Sequence, residues 1–161
     1  ALRNDPSADV RGTAAWALGN TRNRETAALE RALGDENPRV RYKALWALGQ
    51  RGMQTASARV IAAVEDADAD VRVMAAWPLA EIMDTSTLPA IRGAFLKETH
   101  RYAQVSEFRA LVLMGDRSKE VIDRAMASND PDLRSHAVRM IAGTPGLWLW
   151  PWPWPDPRPQ P

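Results

Sequence analysis

The chain has no cysteine and only two histidines. The first absence excludes disulfide staples and thiolate metal sites, and is compatible with a reducing or an oxidising compartment. His100 and His136 lie far apart without a metal-ligand spacing, and the sequence has no His-Glu-x-x-His, Gly-x-Ser-x-Gly or phosphate-cradling glycine loop. Asp66, Asp68 and Asp70 alternate as calcium ligands do, but the glycine and distal glutamate of such a loop are missing. These absences point to a chain without catalytic residues, metal or cofactor. No run of eighteen apolar residues marks a transmembrane helix. Neither sign of charge dominates, since 21 Lys and Arg face 20 Asp and Glu for a net charge of +1. Arg24, Arg31, Arg59, Arg92, Lys119 and Arg124 are interspersed with Glu25, Glu30, Glu65, Glu120 and Asp123, so no basic stripe for nucleic acid emerges.

What the chain does have is a repeat. Ser7, Asn37, Asp68, Thr99 and Asp130 each stand where a helix N-cap is expected, separated by 30, 31, 31 and 31 residues. Three residues after each comes Val10, Val40, Val71, Tyr102 and Leu133, followed by Arg11, Arg41, Arg72 and Arg134 in four units and by Ala103 in the fourth. Pro38 and Pro131 follow their caps directly, where a missing N–H costs nothing. Val40, Ala44, Ala47 and Leu48 then recur at helical spacing, and Gly49, like Gly19, is placed to end the helix. A second helix per unit is read from the pairs Leu29 and Leu33, Val60 and Val64, Ile91 and Phe95, and Ile122 and Met126. Such helix pairs are too short to bury their faces alone and must stack into a continuous core. The fourth unit runs on through Ala110 to Gly115, which predicts a first helix about one turn longer than its counterparts.

Asp5, Asp35 and Asp66 share one slot before the cap. A carboxylate there is placed to accept from an arginine of its own or a neighbouring unit, which predicts an Asp–Arg ladder between repeats. A second series, six residues after each Val-type position, reads Trp16, Trp46, Trp77, Phe108 and Arg139. It lies on the flank of the apolar stripe, where large rings either pack between units or line a groove for a partner helix or peptide. Burial of Trp46 separates the two: a ring more than half exposed is not explained by packing.

The Asp-x-x-x-x-Val-Arg-x-x-Ala-x-x-Ala-Leu-Gly pattern at Asp35 to Gly49 resembles the HEAT-like repeats named after phycobilisome bilin lyases. The likeness covers roughly Asp5 to Gly143 and implies an all-α solenoid of about five helix-pair repeats over residues 1–143. It also implies a non-catalytic protein-interaction scaffold with a protein or peptide partner. The alternative it carries is an enzyme-associated role, as a bilin-lyase-like subunit or as the repeat region of a larger sensor-type membrane metallopeptidase. Ala1-Leu2 reads as the end of a preceding second helix, so a fragment of a longer chain or a processed chain is expected.

Residues 144–161 are of another kind, with proline at every second position from Pro151. No helix forms in such a run, and an extended Trp/Pro-rich tail is expected. In an extended chain Trp148, Trp150, Trp152 and Trp154 share a face, which adds them to the candidate partner-binding residues, for a groove or a membrane interface.

Overall fold

A computed structural model describes residue 2, residues 5–21 and residues 26–143. Among these the chain is all-helical, in the order α1 (Ala8–Gly19), α2 (Ala27–Ala32), α3 (Pro38–Gln50), α4 (Ala58–Ala62), α5 (Ala69–Ile82), α6 (Leu88–Lys97), α7 (Arg101–Leu113), α8 (Lys119–Met126) and α9 (Pro131–Ile141). A 3-10 turn, Ala63–Glu65, prolongs α4. No described helix is long and apolar enough to cross a membrane. The tail, with its four tryptophans, lies outside the described residues.

The odd-numbered helices are the first helices of the units. The helices α1, α3, α5 and α7 pack side by side in one layer, whereas α9 leans on α8. The second helices line the other side, and Leu29, Val60, Ile91 and Phe95 meet Leu45, Leu48, Met74, Leu79 and Leu111 in one solvent-excluded core. Each such side chain contributes roughly 1.5–3 kcal/mol through burial.

The helix starts follow the sequence with one correction. The Asn37 side chain accepts from Arg39 N at 2.9 Å, Asp68 from Asp70 N at 3.0 Å, and Asp130 from Asp132 N at 2.9 Å. Ser7 occupies the cap position of α1 without a side-chain bond. In the fourth unit the cap is His100 and not Thr99. Glu98, one methylene longer than aspartate, reaches forward, and its Oε1 accepts from both Thr99 N (2.8 Å) and His100 N (2.7 Å). The caps therefore stand at Ser7, Asn37, Asp68, His100 and Asp130.

That shift of one residue moves every assignment in the fourth unit. Ala103, fully buried, takes the Val-type position, while Tyr102 is 47% exposed. Gln104 takes the arginine position, and Phe108 falls on a core position shared with Ala15, Leu45 and Ala76. The helix α7 spans 13 residues, no longer than α3, because the chain turns at Gly115 (φ 81°), where Asp116 N donates to Leu111 O. In α8 the core-facing pair is likewise Val121 and Ala125 instead of Ile122 and Met126.

Helix spacing in the first layer depends on two glycines. A Cβ added at Gly49 would come 2.5 Å from the Trp77 ring, and one at Gly19 would come 2.9 Å from Trp46 and Ala47. Only a residue without a side chain lets the next unit's tryptophan lie on the helix. We expect Gly49→Ala to lower the urea midpoint, by the equivalent of about 1–3 kcal/mol, because the forced displacement of Trp77 outweighs the gain in helix propensity. Gly93→Ala, in mid-helix with nothing within 4 Å of the new Cβ, is expected to raise it by roughly 0.5–1 kcal/mol.

Candidate interaction surface

Two lateral systems tie each unit to the next. The first is a ladder of arginines. Arg11 donates from Nε and Nη2 to the two oxygens of Asp35 at 2.8 and 2.9 Å, and Arg41 does the same to Asp66 at 2.7 and 2.7 Å. Arg72 holds Glu98 at 2.6 and 3.1 Å. In each case the remaining Nη1 turns back to the carbonyl oxygen of the residue in the carboxylate slot of its own unit, Asp5, Asp35 or Asp66, at 2.8–2.9 Å. One guanidinium thus closes its own helix start and clamps the next. The same carboxylates accept from the cap residue's backbone N–H, as from Asn37 N and Asp68 N at 2.9 Å.

The electrostatics follow this geometry. The hydrogen bond from Arg11, reinforced by Asn37 N–H, holds the Asp35 carboxyl below its usual range. Burial pushes Glu98 upward, but Arg72 and the His100 N–H outweigh it, so Glu98 also titrates low. Each clamping arginine is raised, first by its carboxylate partner. The predicted ladder is present, with a neutral rung in the fourth unit. There Gln104 Nε2 reaches Glu98 O at 3.4 Å, while Ser128 Oγ lies 3.3 Å from Gln104 Oε1. The charge is relocated to Arg101, which donates to Asp130 at 2.7 Å.

The second system is aromatic. Trp16 and Trp46 stack with centroids 6.2 Å apart and planes 12° from parallel, and Trp46 and Trp77 lie on Gly19 and Gly49. All three rings are partly buried, each well under half exposed, so inter-repeat packing accounts for them while one edge meets solvent. Phe108 belongs elsewhere: it is fully buried and packs on Phe95 at 5.5 Å, so no partner reaches it without opening the core. With the cap at His100, the residue in line with the tryptophans is Arg109, partly buried, followed by the exposed Arg139. In register the series is therefore Trp16, Trp46, Trp77, Arg109 and Arg139. Trp148, Trp150, Trp152 and Trp154 fall outside the described residues.

Arg109 and Gln104 were missed in the sequence because the unit was aligned on Thr99. The signal for them was present: Leu18, Leu48, Leu79 and Leu111 are spaced by 30, 31 and 32 residues, which reveals the extra residue. Among the described residues no three acidic or histidine side chains converge as metal ligands. His136 Nδ1 lies 2.6 Å from Asp132 O on its own helix.

No curated protein matches this chain. The family model describing HEAT repeats matches residues 1–63 and again 26–111, two overlapping stretches that together take in well over half of the sequence. With paired helices stacked at a period of about 31 residues and an arginine clamp between units, the chain belongs to the HEAT-repeat family.

Proposed function

We propose that this chain is a non-catalytic scaffold that binds a protein or peptide partner along the first-helix layer. HEAT repeats commonly serve as protein-interaction scaffolds, and the likeness of Asp35 to Gly49 to the phycobilisome-lyase type of repeat agrees with such a role. The observation that carries the reading is the partly buried row Trp16, Trp46 and Trp77, followed in register by Arg109 and Arg139. Such a strip suits an extended segment or helix with apolar residues at one end and carboxylates at the other. The rings are held by the repeats themselves, so little ordering entropy is lost on binding.

Panning a displayed peptide library against the chain tests this. Enriched sequences are expected to carry aromatic or aliphatic residues next to Asp or Glu, and to quench tryptophan fluorescence on binding. Arg139→Glu is expected to weaken the selected peptides about tenfold, one lost charge pair plus one repulsion. Peptides that bind Arg139→Glu and Trp16→Ala variants as tightly as the parent would place recognition elsewhere.

A further inference from the structure

The junction between the third and fourth units encloses a carboxyl group that its surroundings do not satisfy. Glu107 is wholly buried on α7, and neither of its oxygens has a hydrogen-bond partner among the described residues. Its counterparts in the other units are Ala14, Ala44, Ala75 and Ala137. It lies on the side of α7 turned to α5. One turn further along that side stands Ala110, whose counterpart Ala47 meets Gly19 of the preceding first helix.

The polar groups around Glu107 are already committed. Arg72, the cation of α5 that bears on it, gives Nε and Nη2 to Glu98 at 2.6 and 3.1 Å and Nη1 to Asp66 O and Ala67 O at 2.8 and 3.3 Å. Gln104, one turn before Glu107, spends its Nε2 on Glu98 O. In the second-helix layer Arg92 holds Asp116 and Glu120, Lys97 holds Glu65, and Arg124 donates to Glu98 O. The His100 ring lies against Tyr102. Burial and the charge of Glu98, partly opposed by Arg72, push the Glu107 carboxyl up to about 9.

We infer that the contact between α5 and α7 is a proton-operated hinge: protonated Glu107 lets α7 close on α5, and ionised Glu107 parts the two helices enough to admit water, while the units on either side stay folded. Arg72 cannot neutralise an ionised Glu107 without releasing Glu98, so either arrangement leaves one buried carboxylate bare. Hydration is the remaining route, and it requires separation. In a stacked array each unit touches only its neighbours, so one interface opens without unfolding the rest. The helix α6, packed on α7 from the other layer, serves as the pivot. This goes beyond the partner-binding reading and does not depend on it.

Spin-label distances test the hinge, and the absence of cysteine makes two introduced cysteines the only attachment points. Gln50→Cys with Leu113→Cys spans the junction, and Asp9→Cys with Asp70→Cys lies within the first three units, all at exposed positions. Between about pH 6 and about pH 10 the spanning distance is expected to lengthen by about 3 Å or more, the width of one water layer, while the inner distance holds. Glu107→Gln and Glu107→Ala, the second restoring the residue of the other units, are each expected to keep the spanning distance constant over that range. A spanning distance that does not change in the parent would overturn the inference. So would the same lengthening in both variants, or an inner distance that lengthens together with the spanning one, which is unfolding of the whole array.

Discussion

Replacing Glu107 by glutamine is expected to flatten the dependence of stability on pH between about pH 5 and pH 8. Glu107 is fully buried on α7, with neither carboxylate oxygen hydrogen-bonded. It occupies a register position that is Ala14, Ala44, Ala75 and Ala137 in the other units. Burial, reinforced by the charge of Glu98 and only partly opposed by Arg72, pushes its carboxyl up to about 9 from an ordinary 4.5. The native state therefore holds a proton that the unfolded chain releases. Stability is fully present below the unfolded value and is lost as pH rises towards the folded one, at about 1.4 kcal/mol per pH unit. Over three units that amounts to about 4 kcal/mol. The low-titrating Asp35, Glu98, Asp116 and Asp130 act in the opposite sense, losing stability only as pH falls below the ordinary carboxylate range. Urea unfolding at a series of pH values checks this: the parent declines with pH and Glu107→Gln stays level. Glu107→Met, which keeps the volume and removes both unsatisfied oxygens, is expected to be the more stable protein at pH 8. A parent curve as level as the glutamine variant's would mean that a partner or water reaches the carboxylate.

Arg41→Ala is expected to destabilise the array by about 2–4 kcal/mol, the cost of leaving a largely buried carboxylate without its clamp. Both side chains of the Arg41–Asp66 rung are mostly removed from solvent, and the guanidinium also satisfies Asp35 O and Glu36 O at 2.8 and 3.1 Å. Removing it leaves the Asp66 carboxylate with only the Asp68 N–H and takes a donor from the partly buried Asp35 O. Arg41→Lys keeps the charge but not the fork, and is expected to recover less than half of the loss. The double variant Arg41→Ala with Asp66→Ala should cost less than the sum of the two single changes, since neither then leaves a stranded partner. The exposed pair Lys97–Glu65 serves as the contrast. Lys97→Ala is expected to change stability by no more than roughly 0.5 kcal/mol, because solvent already screens that pair. Guanidinium chloride titration of the five variants, Asp66→Ala among them, orders these effects, and an Arg41→Ala loss no larger than that of Lys97→Ala would remove the ladder from any account of what joins the units.

Much of this was legible in one dimension. The 31-residue period, the caps at Asn37, Asp68 and Asp130, the arginine after each Val-type position and the acidic slot before the cap are local signals, and each acts through its own turn of helix. The ladder was readable because its donor and acceptor recur at fixed offsets in successive units. The fourth unit was misread for an equally physical reason. Thr99 is a better intrinsic cap than His100, but Glu98 stands two residues before His100, as Asp35 and Asp66 stand before Asn37 and Asp68, and accepts from the His100 and Thr99 N–H groups, so the slot and its cap fall one residue later. Once α7 starts there, the core accepts Ala103 and Phe108 and turns Tyr102 outward.

The sequence by itself determined the architecture, a stack of helix pairs with caps and a lateral arginine at a near-constant period, whereas Gly49, expected to end its helix, lies inside α3 and gives room to Trp77. The architecture follows because periodicity and capping depend on residues within one or two turns of each other. Only the tertiary structure decided how far each ring is withdrawn from solvent and that Phe108 is core. It also showed that Glu107 is entombed in an alanine position. Those outcomes depend on the distance between neighbouring helices, set by whole side chains meeting across the layer, and no local pattern carries that distance.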